Sequence, residues 1–365
     1  MGKNKDANPA YWDDYNNLQH TKHALIEEYL KGWFPKLGFW SGKILYVDTH
    51  AGRGKHKGGK YGSPIVALRT FLEHQYRESI LKKSRVAFYF IEADKENCES
   101  LQAEIDVFSP LPSNVEANII HENCFDALQE ELDELERFKQ VMAPAFVFVD
   151  PYGFKIPGEI LQRLMRFKNV ELFINVIWRW LSMAISQAEI SEGMAKLLDS
   201  IYNGDSWRKL IGLEFDVQAI ESINLLRNMI DAKWATHIHM LGSNNATKYL
   251  LLHLTNHDAG RDLMKDCMWK ICPEGGFYAR STDDPSQQYL ITREPDLKPL
   301  EDWVWAKLES SPIRWTALLE DIRHEIWRAP QLNAVIRKLK NEGKISGRKY
   351  TGKFFPKNNP ELYLC

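Results

Sequence analysis

Long hydrophobic runs are missing from this 365-residue chain: no stretch of eighteen or more apolar residues occurs, which excludes an ordinary membrane-spanning helix. The opening residues, MGKNKDANPAYWDDYNN, lack the apolar core of a signal peptide, so the cytoplasm is the expected location and no membrane the expected partner. Cysteine is scarce. Cys98, Cys124, Cys267, Cys272 and Cys365 are odd in number and form no CxxC, which argues against a disulfide scaffold and for free thiols. His253 and His257 stand ahead of Cys267 and Cys272, but the spacing is looser than that of structural zinc ligands. His253 reads as a strand residue in YLLLHL and Cys267 as a helix-core residue, so no metal is expected. An excess of charge is also absent. With 47 Lys and Arg against 49 Asp and Glu the net charge is −2, so any surface for nucleic acid must be local.

What is present is ordinary soluble-protein composition, 44% hydrophobic and 26% charged, in a chain long enough for one large α/β domain and a small accessory module. Apolar strand-like runs recur: ILYVD (44–48), VAFYFIE (86–92), ANIIHENC (117–124), AFVFVD (145–150) and VELFINVI (170–177). Helical patterns separate them, SPIVALRTFLEHQYRESIL, KENCESLQAEIDVF, DALQEELDELERF and GEILQRLMRF. Such alternation predicts a parallel sheet covered on both faces, a Rossmann-like doubly wound α/β fold. An amphipathic helix over 18–34, broken at Pro35, forms an N-terminal segment (1–40) packing on the sheet. The main domain spans 41–295, with a helical insertion at about 181–233. It resumes as strand over 248–256, helix over 260–271 and strand QQYLITR over 287–293.

Pro295 and Pro299 mark a boundary, and 299–365 reads as a separate module of three short helices and a strand-turn-strand, the outline of a winged helix. From Gln331 to the end eight Lys or Arg face two Glu. Arg337, Lys338, Arg348, Lys349 and Lys353 are the candidate nucleic-acid contacts, interleaved with Tyr350, Phe354 and Phe355, which serve either to stack on bases or to anchor the wing.

The chemistry gathers at the strand ends. KILYVDTHAGRGKHKGGKYGSPIVAL (43–68) carries an acid, Asp48, then a glycine turn at Gly52 and Gly54, where only glycine lets a backbone approach a ligand so closely. Three ligands compete. Gly54, Gly59 and Lys60 satisfy GxxxxGK, but Tyr61 stands where a P-loop needs Ser or Thr, and the helix starts only at Ser63 or Pro64. A dinucleotide site wants a third glycine and an acid about twenty residues on; Glu92 lies thirty-eight residues after Gly54. The third reading is S-adenosylmethionine. Asp48-Thr49-His50-Ala51-Gly52-Arg53-Gly54 resembles the first motif of class I methyltransferases, in which Ala51, Gly52 and Gly54 would lie against the cofactor. That resemblance implies Glu92, with Asp94 the near alternative, on the ribose hydroxyls and Asp126 near the adenine.

VFVDPYG (147–153) strengthens this reading, since it looks like the [DNS]PP[YFW] motif of amino methyltransferases and the DPFG form of some RNA guanine methyltransferases. A base amine is a poor nucleophile because its lone pair is delocalised; two acceptors on its N–H groups direct that pair at the methyl. Asp150 and the Pro151 carbonyl are the expected acceptors, with Tyr152 or Phe154 stacking on a base that has left its helix. A tight turn after a strand is the competing account of Asp-Pro-Tyr-Gly. Arg53, Lys55, Lys57 and Lys60 form a basic loop facing the same cleft, as a phosphate clamp or a solvated loop.

Together with INVIWRW and KYLLLHLTNHDAGRDLMKDCMW, these stretches resemble the three-Cys-motif partner protein family over most of residues 15–295. The resemblance implies a methyltransferase-like Rossmann domain and, from the family's name, a partner protein with three clustered cysteines; it implies no substrate. Two functional classes follow: a methyltransferase acting on nucleic acid, and an inactive methyltransferase-like module that recruits a partner to nucleic acid. Cutting the chain after Asp296 is expected to weaken nucleic-acid affinity and flatten its salt dependence, because counterion release scales with the phosphates neutralised. An unchanged salt slope in a binding titration would point to protein docking by the module.

Overall fold

The apolar runs become β1 (Lys43–Asp48), β2 (Arg85–Glu92), β3 (Val115–His121), β4 (Ala145–Val149) and β5 (Val170–Val176). Every residue of β4 and β5 is buried, as parallel strands covered on both faces must be. These strands pair in parallel in the order β3-β2-β1-β4-β5, and the sheet continues through β7 (Thr247–Thr255), β6 (Trp234–Leu241) and β8 (Tyr278–Arg280). β7 runs antiparallel to both β5 and β6. The computed structural model describes residues 15–273, 277–281, 295–354 and 356–365. The chain divides into two compact units, one drawn from Met1–Cys267 and Tyr278–Gln287, the other from Met268–Phe277 and Gln288–Cys365.

In the first unit the connecting helices are α1 (Asn17–Gly38), α2 (Ser63–Leu72), α3 (Arg77–Leu81), α4 (Lys95–Asp106), α5 (Cys124–Arg137), α6 (Gly158–Met165), α7 (Trp178–Gln187), α8 (Glu192–Tyr202), α9 (Phe215–Ile230) and most of α10 (Asp258–Ile271), whose residues from Met268 on belong to the second unit. α7 to α9, with a 3₁₀ turn at Asp205–Leu210, occupy the stretch expected as a helical insertion.

α1 starts on a capping box between Asn16 and Gln19, which satisfies two otherwise orphaned N–H groups. Contrary to expectation it does not end at Pro35 but runs to Gly38. Proline at 35 removes the N–H that Lys31 O would accept, and a remote side chain replaces it. His74 Nδ1 accepts the Tyr76 N–H at 3.1 Å, leaving Nε2–H to donate to Lys31 O at 2.9 Å.

β6 (WATHIHML) was not expected as a strand, because Thr236, His237 and His239 interrupt its apolar residues. Burial explains how it fits: it pushes His237 down to about 3 and lowers His239, holding both rings neutral. His239 Nδ1 is also paired with Thr247 Oγ1 at 3.0 Å. The expected strand QQYLITR lies outside the described residues.

A buried polar network ties α1 to the sheet. The Tyr29 hydroxyl donates to Glu171 Oε2, which His253 Nε2 also meets at 3.0 Å, and all three residues are buried. His253 therefore serves this network. Gly260 leaves it room, since a Cβ there would stand 3.0 Å from both Glu171 oxygens.

The second unit contains α11 (Lys298–Ser310), β9 (Ile313–Arg314), α12 (Trp315–Asp321), α13 (Ala329–Asn341), β10 (Ile345–Arg348) and β11 (Glu361–Leu364). Its antiparallel sheet has the order β10-β11-β9, and Leu300, Val304, Leu318, Leu332 and Ile336 form its core. Trp269 joins that core, stacked on Trp327 with its Nε1–H donating to Ile326 O at 2.9 Å.

Tyr29→Phe removes a hydrogen bond to a buried carboxylate and is expected to cost about 1.5–3 kcal/mol, read as a lowered urea midpoint at unchanged slope.

Candidate active site

The turn after β1 is shaped by two glycines in the left-handed region, Gly52 at φ 62° and Gly54 at φ 78°. A Cβ on Gly54 would also stand 2.8 Å from Leu101 Cδ1, so both conformation and packing require glycine there. The Glu92 carboxylate closes the turn. Oε2 accepts the Gly52 N–H and Oε1 the Asp94 N–H, each at 2.8 Å. Two of a carboxylate's roughly four acceptor positions are thus used, and the residue is half-buried. Asp94 caps α4 by accepting the Asn97 N–H at 2.9 Å, and Asp126 is exposed in the first turn of α5.

Asp48 lies beneath the turn at 0% exposure. It accepts hydrogen bonds from Tyr46 Oη and the His50 N–H, both at 3.3 Å, and from Ser63 at the start of α2. Burial pushes its carboxyl up to about 7; the Asp150 charge adds to that, while Ser63, the His50 N–H and Lys22 oppose it. Asp48 therefore braces the turn from below.

β4 delivers Asp150 beside it, because β1 and β4 are neighbours with Asp48 opposite Phe148. Two donors hold Asp150. Asn175 Nδ2 on β5 reaches Oδ1 at 2.6 Å, and Lys22 Nζ on α1 pairs with Oδ2. Neither was foreseen, though each left a trace: Lys22 interrupts the apolar face of α1, and Asn175 is polar within the otherwise buried VELFINV. Close to Lys22, His23 is held well below its usual range and His56 is pushed down to about 4, each chiefly by burial. Tyr15 contacts both rings.

In the DPYG turn the Pro151 carbonyl accepts the Gly153 N–H at 2.8 Å, with Gly153 at φ 137°, which uses one of that oxygen's two lone pairs. Phe154 is partly buried and packs against the main core. Tyr152 is 53% exposed and meets Trp180, itself 41% exposed, edge-to-face at 6.0 Å.

In the basic loop, Lys55 pairs with Glu104 at 3.4 Å and lies over the Tyr61 ring. Arg53 is half-buried, and Lys57 and Lys60 are exposed. In the second unit Lys338 pairs with Glu301 and Arg348 with Glu361. Arg337 lies over the Phe354 ring, which packs on that unit's core and on Trp315 and so anchors the hairpin. Lys349 and Lys353 are exposed, and Phe355 lies outside the described residues.

A sheet in the order 3-2-1-4-5-7-6 with strand 7 reversed, a glycine turn after β1 and an acid ending β2 define the class I methyltransferase fold. No protein-family model and no curated protein matches the chain. Among solved structures it is similar to Trm1 from Pyrococcus horikoshii in complex with S-adenosyl-L-methionine. The two are 13% identical over 96% of this chain and 92% of that one, with a TM-score of 0.41. It is also similar to a protein of Legionella pneumophila (16% identity, 66% and 85% covered, TM-score 0.35). A third is a SAM-dependent methyltransferase from Agrobacterium tumefaciens (11% identity, 63% and 61% covered, TM-score 0.34).

Folded Asp48 keeps its proton up to about pH 7, whereas the unfolded chain releases it near 3.8. Its ionisation therefore works against folding: the penalty is absent below the unfolded value, grows between the two and is complete above pH 7. Asp48→Asn is expected to be more stable than the parent at about pH 8, by on the order of 4 kcal/mol at most. Urea midpoints of the two proteins should converge near pH 4.

Proposed function

We propose that this chain is an S-adenosylmethionine-dependent methyltransferase acting on nucleic acid, with the exocyclic amine of a base as its target. The observation that carries the reading is the convergence, at adjacent strand ends, of the Gly52–Gly54 turn closed by Glu92 with Asp150 just after β4. Glu92 would hold the ribose hydroxyls, and Gly52 and Gly54 keep the turn free of side chains where the cofactor backbone would lie. When bound, the cofactor supplies an electrophilic methyl group on a sulfonium. Asp150 accepts an N–H of the target amine and turns its lone pair toward that methyl, a gain of orientation and electrostatics. Tyr152, exposed beside Trp180, offers the ring on which an extruded base stacks.

The second unit supports a nucleic-acid target. Read as a winged helix, it presents Arg337 on α13, Lys349 and Lys353 in the β10–β11 hairpin, and the positive excess from Gln331 onward to phosphates.

The alternative, a catalytically inactive binding module, is favoured by one observation: Tyr152 and Gly153 stand where the [DNS]PP[YFW] motif has its second proline and its aromatic.

Labelled methyl groups are expected to pass from S-adenosylmethionine to a cellular RNA or DNA pool. Asp150→Ala should reduce transfer by at least about a hundredfold while calorimetry finds S-adenosylhomocysteine binding retained. Absence of cofactor binding at millimolar ligand ends the methyltransferase reading. Binding without transfer to any pool leaves the inactive module.

A further inference from the structure

The two donors on Asp150 differ in kind. Asn175 is 5% exposed in a fully buried strand and donates at 2.6 Å, so its amide is as fixed as the sheet. Lys22 is buried as deeply, with 3% of its side chain exposed, but it reaches Asp150 from α1 on a flexible four-carbon arm. Its ammonium also lies 5.9 Å from the centre of the Phe148 ring. With Asn175 on Oδ1 and Lys22 reaching Oδ2 on a flexible arm, Oδ2 is the acceptor that can exchange partners. An N–H donor against Oδ2 is what a target amine has to be, and Lys22 is already one.

We propose that the Lys22 ammonium occupies the subsite of the target amine, and that the amine of the entering base displaces it from Asp150 Oδ2. This rests on the amine reading given under Proposed function. It makes Lys22 a specificity-determining residue. A base that brings an N–H donor restores the hydrogen bond that Asp150 loses when Lys22 swings away. A base with a carbonyl at that position sets two acceptors face to face and leaves Asp150 Oδ2 without a donor, which is disfavoured. Self-occupation thus holds the site shut against bases lacking the amine.

A subsite filled most of the time lowers apparent affinity by the fraction of molecules in which it is open. Calorimetry on the full-length protein with saturating S-adenosylhomocysteine compares adenosine with inosine and cytidine with uridine, pairs that differ in the exocyclic amine. Lys22→Ala is expected to bind adenosine or cytidine at least about tenfold more tightly than the parent, while inosine and uridine change little. Lys22→Arg, which keeps a cation in the subsite, should show no gain. If Lys22→Ala does not melt cooperatively, Lys22→Met keeps the apolar arm without the ammonium and carries the same expectation. Amine-bearing nucleosides that bind no more tightly, or a gain shared equally by inosine and uridine, overturn the proposal. The two readings separate cleanly: the selective gain without methyl transfer to any pool removes the enzyme and keeps the subsite, whereas transfer by the parent without the gain removes the subsite alone.

Discussion

A buried lysine stands against carboxylates carried by two neighbouring strands. Asp48 ends β1 and Asp150 follows β4, and the strand order that makes β1 and β4 neighbours brings their charges together. Taking charges out of water is costly unless partners replace the solvent. Lys22 pairs with Asp150 directly and opposes the rise of Asp48 from a distance. Asp48 is accommodated largely by holding its proton up to about pH 7, and Asp150 by the cation that α1 supplies. The N-terminal helix is therefore part of the site as well as a cover for the sheet.

The turn after β1 is held by a different device. Glu92 spends two acceptor positions on backbone N–H groups from two loops, one after β1 and one after β2. The same carboxylate thus joins the glycine turn to the second strand and leaves lone pairs for a ligand. Asp48 supports that turn from below while Asp94 caps the helix beyond it. Three acids that look equivalent along the chain are thereby sorted by environment into brace, clasp and cap.

Much of this was legible in the sequence because its signals are local. Continuous apolar runs declare parallel strands, and glycine declares the turn after β1, since no other residue takes Gly54's conformation against Leu101. The features that escaped depend on partners far along the chain. Lys22 and Asp150 are 128 residues apart, and nothing near Lys22 announces its counterion. β6 was hidden because its histidines look polar, whereas burial keeps them neutral and lets them behave as core residues. Pro35 misled for a similar reason: the rule that proline ends a helix assumes an orphaned carbonyl, and His74 supplies the missing donor. Tyr152 is exposed and Phe154, two residues on, is partly buried against the core, a difference that no local pattern in the sequence announces.

The His74 contact also has a mechanical side. Near its start α1 is held by Asn17 Nδ2 donating to Ser281 O at 3.1 Å, at its middle by Tyr29 on Glu171, and toward its end by Lys31 O on His74. A rod pinned at three points along its length does not tilt or slide easily. Movement at the strand ends then falls to side chains, on the picosecond-to-microsecond scale of rotamer and loop motion rather than the slower scale of shifting helices, and α1 works as a fixed post from which a single arm can turn.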